Sequence, residues 1–452
     1  MRLLTAAFAA LAFATQQGFA FTADEVAKLV RERNLQVLAA KEQLKGALFQ
    51  EKATKRSFLP QLTLSGSFFE NYQSAFPKGW QQSYTLSATV TDQLVNFQQL
   101  DQLKIDRTQV EIQKANLSGT LLEQLYQALN LFLEAGAQRE KVKIRKELLN
   151  SAQQIFKVAQ KKYREGLVMV TDLLKAKAEV DSAKRALVEE ENRYRKTLNR
   201  LNELLNTRLK GEPEVCFFTE ELKINRKELL KRALSLRPEL KQQEKGVKLS
   251  KLQVQQIQDT LKPSLNLSVS VSRTGTQFLP SDKTVSAGIT INFPIFDSGV
   301  TKARALSAES GVKVAQLQLQ ELKNRIKREV LNAVADVESG YQRLKAAESS
   351  LNFYRKAYSR SLNEYRLGVT DIVSLLQAFN ALKNGEEEYI DALLSYNQAI
   401  LNLDRTTGQL LTGGFYEEVS RCSDSFGTTR SSGSSDKGEK GARARSRSGS
   451  NG

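Results

Sequence analysis

Two cysteines, two methionines and no histidine are all that this 452-residue chain offers to soft-metal or imidazole chemistry. Without histidine, general acid–base catalysis and most zinc or copper sites lose their usual residue. Met1 and Met169 make no thioether copper pair, and Cys216 and Cys422 lack metal-ligand spacing. No phosphate-cradling glycine loop and no nucleophile–base set accompanies them. The residues therefore predict no enzyme, no metal site and no cofactor. What remains is interfacial chemistry: short Ser/Thr-lined segments, and two polar turns, Tyr163-Arg164-Glu165-Gly166 and Tyr365-Arg366-Leu367-Gly368.

The turns belong to an internal repeat with an offset of about 203 residues. Leu59-Pro60-Gln61-Leu62-Thr63-Leu64 matches Lys262-Pro263-Ser264-Leu265-Asn266-Leu267, and Pro77 matches Pro280. After each turn, Leu173-Leu174-Lys175-Ala176 matches Leu375-Leu376-Gln377-Ala378. Each repeat reads helix, strand, strand, long helix, turn, helix. The strands are the most informative part. Leu265, Leu267, Val269 and Val271 alternate with Ser264, Asn266, Ser268, Ser270 and Ser272, and Val285, Ala287, Ile289, Ile291 and Phe293 alternate with Ser286, Gly288, Thr290 and Asn292. Tyr84, Leu86, Ala88 and Val90 alternate with Ser and Thr in the first repeat, as do Leu62, Leu64 and Phe68 more weakly. Period two gives one apolar and one polar face, and about 9–10 residues is the length of a tilted transmembrane strand. An uncharged Ser/Thr/Asn face suits a watery lumen, with the apolar face toward lipid. Period alone leaves a soluble sandwich open.

Helices fill the rest, and the chain's 7 prolines permit great length. One helix is expected from Thr22, with Glu25 completing a capping box, to about Ser57. Others begin after Asn225 and at Pro238. Proline-free helices run from about Gln98 to Lys162 and from about Thr301 to Arg366, on the order of 95 Å each at 1.5 Å per residue. Helices of that length need partners along them, which the shorter helices supply as antiparallel coiled coils. The net charge of +17 is spread along these helices among Glu and Asp, which reads as solvated faces and not as a nucleic-acid surface.

Arg2, the apolar run Leu3 to Ala14 and the small-x-small site Gly18-Phe19-Ala20 read as an export leader cleaved after Ala20. The expected organisation is a signal peptide (1–20), a first repeat (21–210; strands about 61–69 and 83–91, hairpin tip about 163–171) and a linker (211–224). A second repeat (225–413; strands about 264–272 and 285–293, tip about 365–373) and a disordered Ser/Gly/Arg-rich tail (414–452) follow. Beyond the leader no apolar run spans a bilayer, so any membrane part is made of strands. An open sheet edge in lipid leaves unpaired backbone groups, and four strands are too few to close a barrel. Copies must share one; two supply eight strands with little lumen, three supply twelve and room for a channel.

With the leader, the tandem repeat, the paired strands and the Tyr-x-x-Gly turns followed by Asp-Leu-Leu-x-Ala in the first repeat, the chain resembles the TolC-type outer-membrane efflux protein family, from the mature start to about Leu411. The resemblance implies an α+β membrane protein: a homotrimer with a twelve-stranded outer-membrane β-barrel and a long periplasmic α-helical barrel. It implies a diderm bacterium's outer membrane and its lipid, a periplasmic adaptor and an inner-membrane pump as partners. The exported cargo, small molecules or proteins, is left open. Tyr163, Gly166, Leu167, Tyr365, Gly368 and Val369 match the family's adaptor-binding hairpin tips, where glycine also serves as a helix cap. Thr171, Asp172 and Tyr365 match positions near the family's closed entrance. The arginine that some relatives carry near Thr370 is absent, with Arg366 as a substitute, and Ser374 and Gln377 stand where some relatives have entrance carboxylates. Asp172 and Asp371 are the remaining acids, which three-fold symmetry would gather into a cation-binding ring and which N-capping explains equally well. The competing reading is a secreted or periplasmic coiled-coil scaffold without channel activity. A Cys216–Cys422 disulfide is an open alternative in an oxidising compartment.

Overall fold

The computed structural model describes residues 20–74, 76 and 78–413. The expected leader before Ala20, Pro77, Cys422 and the tail from 414 lie outside the described residues. In chain order the elements are β1 (Ala20–Phe21), α1 (Ala23–Arg33), α2 (Leu35–Arg56), β2 (Gln61–Gln73), β3 (Gly79–Val95), α3 (Phe97–Arg164) and α4 (Val170–Leu204). Then follow β4 (Glu212–Pro213), α5 (Arg226–Leu236), α6 (Pro238–Gln258), β5 (Ser264–Gly275), β6 (Asp282–Asn292), α7 (Val300–Leu367) and α8 (Ile372–Thr407).

The helix expected from Thr22 to Ser57 is two helices. Asn34 takes an extended conformation (φ −62°, ψ 125°) between α1 and α2. Its side chain accepts from the Val37 amide at 3.0 Å and donates to Gln124 Oε1 and the Leu204 carbonyl, both at 2.9 Å. A buried amide that caps α2 while tying it to α3 and α4 outweighs helix continuity. Arg237 makes the same extended break before Pro238, buried and paired with Glu329 at 2.5 Å.

The strands form one antiparallel sheet in the order β2-β3-β5-β6, joining the two repeats through β3 and β5. β2, β3 and β5 run past the expected ranges, while β6 stops at Asn292, just before Phe293-Pro294, where proline removes a ladder donor. Register aligns the apolar residues in rows across all four strands: Leu62, Val90, Val269 and Ala287 form one row, and Leu64, Ala88, Val271 and Val285 the next. Opposite them run rows such as Ser65, Ser87, Ser272 and Thr284, with Ser65–Ser87 and Ser270–Ser286 hydroxyl bonds of 2.7 Å. No described helix covers the apolar rows at the sheet's margins: Leu62 is 74% exposed and Ile291 70%. No described helix is long and apolar enough to cross a membrane.

The long helices α3 and α7 each have 68 residues, about 100 Å. α2 and α4 pack on α3; α6 and α8 pack on both α3 and α7. A waist core gathers Leu125, Leu129, Phe132, Leu201, Val337, Tyr396 and Ile400. The segment between repeats is strapped to it. Asn397 binds the amide and carbonyl of Phe218 at 2.8 and 3.1 Å, and the Tyr396 hydroxyl donates to the Glu220 carbonyl at 2.6 Å. Cys216 lies half-buried in this strap.

Candidate functional site

The two helical hairpins, α3–α4 and α7–α8, end in turns closed by the same bonds. At the first tip the Gly166 amide donates to the Tyr163 carbonyl (3.0 Å) and Leu167 to Lys162 (2.9 Å). At the second, Gly368 donates to Tyr365 (3.2 Å) and Val369 to Glu364 (2.9 Å). This is the Schellman pattern, and it needs a left-handed residue: Gly166 has φ 72° and Gly368 φ 81°. Glycine is the residue that adopts such angles without steric penalty.

Below the turns the hairpins share an apolar core of Leu148, Ala152, Ile155 and Ala159 from α3, Leu362 and Tyr365 from α7, and Ile372, Leu375 and Phe379 from α8. Beside this core and toward the waist, an ionic seam links the hairpins. Arg145 pairs with Glu387, Lys141 with Asp391 at 2.6 Å, and Lys383 with Glu179 at 3.3 Å. Charged pairs thus link the two hairpins, while buried Ala347, Leu351, Leu382 and Ile390 continue the apolar packing between α7 and α8 from the tip toward the waist.

The predicted site residues divide sharply. Tyr163, Leu167 and Val369 are exposed around the turns. Thr171 and Ser374 are exposed on the first turns of α4 and α8 and Gln377 on the second turn of α8, Arg366 is exposed on the last turn of α7, and Thr370 is half-buried. Asp172 lies in the first turn of α4, 3.8 Å from Lys175. Tyr365 is not on the surface; it is 1% exposed, and its hydroxyl has no hydrogen-bond partner among the described residues. Burial pushes its pKa up, and the Asp172 charge pushes the same way. The structure thus brings Tyr365 and Asp172 into electrostatic range without a hydrogen bond. Asp371 is the α8 N-cap, accepting from the Ser374 amide at 2.7 Å, a bond that holds its carboxyl below the usual range. Arg366 donates to Asn363 at 3.5 Å, so within one chain it makes no link between hairpins.

Sequence reasoning missed the basic neighbours of the second tip. Lys162 Nζ sits 4.9 Å from the Tyr365 ring centroid, a cation–π contact. Lys157, Lys161 and Lys162 line a groove closed by Arg366, Leu367 and Gly368. The i, i+4 spacing of Lys157 and Lys161 was visible; the opposite wall, about 205 residues away, was not. Among the described residues no cluster of His, Cys, Asp or Glu could hold a metal ion.

A family model described as outer membrane efflux protein matches residues 26–207 and 229–409. The chain belongs to the outer membrane efflux protein family. Membership in this family of channel proteins locates the chain in the outer membrane with a large periplasmic portion. Among curated members, it is 24% identical over 275 residues to outer membrane protein TolC of Escherichia coli (strain K12), covering 55% of this chain and 54% of TolC. The chain thus spans about half the length of that relative. It is 22% identical over 396 residues to nodulation protein T of Rhizobium leguminosarum bv. trifolii, covering 82% of each. Its fold superposes on the crystal structure of CusC with a TM-score of 0.75 at 16% identity, covering 86% of this chain and 93% of CusC. The efflux-family fold therefore carries the two tips described above.

Proposed function

We propose that three copies of this chain close a twelve-stranded barrel in the outer membrane and continue it as a helical tunnel. The resulting duct exports small molecules or proteins handed over by an inner-membrane pump through a periplasmic adaptor. One observation carries this reading. The sheet has a bare apolar face and two open edges, β2 and β6, and it leads directly into helices about 100 Å long. In lipid, open edges leave unpaired groups at several kcal/mol each, and pairing β2 of one copy with β6 of the next removes them. The exposed apolar rows then meet lipid and the Ser/Thr rows meet water. A periplasmic coiled-coil scaffold accounts for the helices but not for the bare sheet.

The tips are the adaptor-binding and gating end in this reading. Tyr163, Leu167 and Val369 offer contact surface, and Gly166 and Gly368 make the reversals. Thr171, Asp172, Thr370, Asp371, Ser374 and Gln377 ring the entrance, which opens as the tips spread like an iris. Arg366 and Tyr365 flank the second tip, with Asp172 the candidate partner of the Tyr365 hydroxyl.

The test is purification of the full-length protein in detergent. A heat-modifiable trimer that conducts ions in a planar bilayer is the expected outcome, and a soluble monomer without affinity for detergent or bilayer overturns the proposal. Cysteine pairs across neighbouring tips, once oxidised, are expected to stop transport; undiminished transport removes the gate.

A further inference from the structure

The four long strands carry two basic residues, Arg273 on β5 and Lys283 on β6, and the register sets them directly opposite each other. They belong to the row Gly66, Leu86, Arg273 and Lys283. That row lies two residues beyond Leu64, Ala88, Val271 and Val285, so the pair stands on the apolar face and not on the Ser/Thr face. Both side chains are exposed, and no ion pair or hydrogen bond holds either among the described residues. The adjacent carboxylate, Asp282, falls on the Ser/Thr face opposite Thr274 and accepts from the Ser281 hydroxyl at 3.1 Å. Glu70 shares the apolar face but stands on β2 opposite Gln82, which donates to it at 3.2 Å. Like charges directly opposite on a sheet, with Cβ atoms about 5 Å apart, destabilise it. The uncompensated pair therefore calls for an anion from outside the chain.

The same strands set the depth of the pair. Arg273 lies about 27 Å along β5 from Leu265, which at a strand tilt of about 40° is about 20 Å along the barrel axis, near the limit of an apolar band about 25 Å tall. The helices leave from the opposite end of the sheet, at Gln61, Val95, Ser264 and Asn292. Just beyond the pair the apolar face turns aromatic: Tyr84 packs on Phe68 and Phe278, with ring centroids 4.8 and 6.1 Å apart. Rings in such a belt sit at headgroup level. We infer that Arg273 and Lys283 clamp the phosphate of a phosphate-bearing lipid in the outer leaflet, whose acyl chain lies along Val271 and Val285. This rests on the reading that the apolar face meets lipid, and it names the headgroup chemistry there. A guanidinium can take two phosphate oxygens while an ammonium takes a third. Free phosphate would gain the same charge contacts but leave the apolar row bare, so the lipid is the occupant.

The experiment uses the full-length protein purified in detergent, titrated with lipid A carrying its phosphates or with the same lipid A enzymatically dephosphorylated. Bound lipid is counted by native mass spectrometry. The phosphorylated form is expected to bind about tenfold or more tighter. The double variant Arg273→Gln/Lys283→Gln should erase that preference, each single substitution should reduce it, and Arg273→Lys should retain part of it. If the double variant does not assemble, the single substitutions carry the test. Equal binding of the two lipids, a preference untouched by the substitutions, or complete displacement of lipid A by millimolar inorganic phosphate overturns the inference. Failure of the site and failure of the lipid reading look different. A protein that inserts in a bilayer yet binds both lipids equally lacks only the headgroup site, whereas a soluble protein that binds neither loses both.

Discussion

The turns at Gly166 and Gly368 close with the same pair of backbone bonds, yet the tyrosine three residues before each glycine meets opposite surroundings. Tyr163 is 42% exposed and Tyr365 is 1% exposed. The helix starts that follow differ too. Asp371 caps α8 with its carboxylate, whereas Met169 stands at the start of α4 without a side-chain cap. Duplicated sequence thus produced duplicated backbone, but packing within the chain is one-sided. The second tip leans on α3 through Tyr365, Ile372 and Phe379, while the first tip presents Tyr163 outward. A repeat conserves local hydrogen bonding, and each copy's neighbours decide what its side chains do.

The widest gap between the tips should appear on truncating the tyrosines. Tyr365→Ala is expected to destabilise the second tip by about 3–5 kcal/mol, as loss of a buried aromatic does. Tyr163→Ala should stay within about 0.5 kcal/mol. Amide exchange across Ile155–Ala159 and Ile372–Phe379 measures both. An equally costly Tyr163→Ala would break the comparison by showing that a neighbouring copy buries Tyr163 in the assembly. Next comes Gly385, where a Cβ would lie 2.5 Å from Tyr354 Cδ2; counted from the matched Leu-Leu pairs, α4 holds Ala183 at that place. Gly385→Leu should lower the stability of the α7–α8 hairpin by about 1–3 kcal/mol, read as an earlier loss of helical circular dichroism on heating.

Acid should distinguish the helix starts. The Asp371 pKa is depressed in the folded chain, so its contribution is complete above the unfolded value of about 3.9 and is lost as pH falls through the lower folded value. Exchange at Ile372–Leu375 should accelerate in that window beyond the intrinsic rate change, while Val170–Leu173 should not. Giving the first tip the cap it lacks should narrow the difference, with Met169→Ser slowing exchange in the first turn of α4 by about 0.5–1 kcal/mol. Smallest is Tyr365→Phe. Removing a buried hydroxyl that has no partner should be neutral within about 0.5 kcal/mol or slightly stabilising in the detergent-dispersed chain. A clear loss confined to the proposed trimer would show that assembly supplies that hydroxyl with a partner, and would support a place for Tyr365 in the proposed gate.

Much of this architecture was legible in the residues because it depends on local periods. Strict alternation in Ser264–Ser272 and proline-free runs flanked by Tyr-x-x-Gly fix strands and helices through backbone sterics and glycine's access to positive φ. The break at Asn34 was not legible, since an asparagine interrupts a helix only when its amide has distant partners, here Gln124 and Leu204. The longer β3 was missed for a similar reason. Its last residues, Asp92 to Val95, lose the clean alternation but are held by pairing with Leu265–Leu267 across a bulge.

By itself the sequence determined the repeat, the alternating faces, the paired turns and a strand count too small for one chain to close a barrel, all of which follow from residue spacing along one chain. Tertiary structure alone decided that Tyr365 is buried while Tyr163 is not, that Arg366 faces Lys157 and Lys161 across one groove, and that ionic pairs link the two hairpins. Those outcomes depend on residues about 200 positions apart meeting at particular distances. Spacing along the chain carries no record of such meetings until long-range packing sets them.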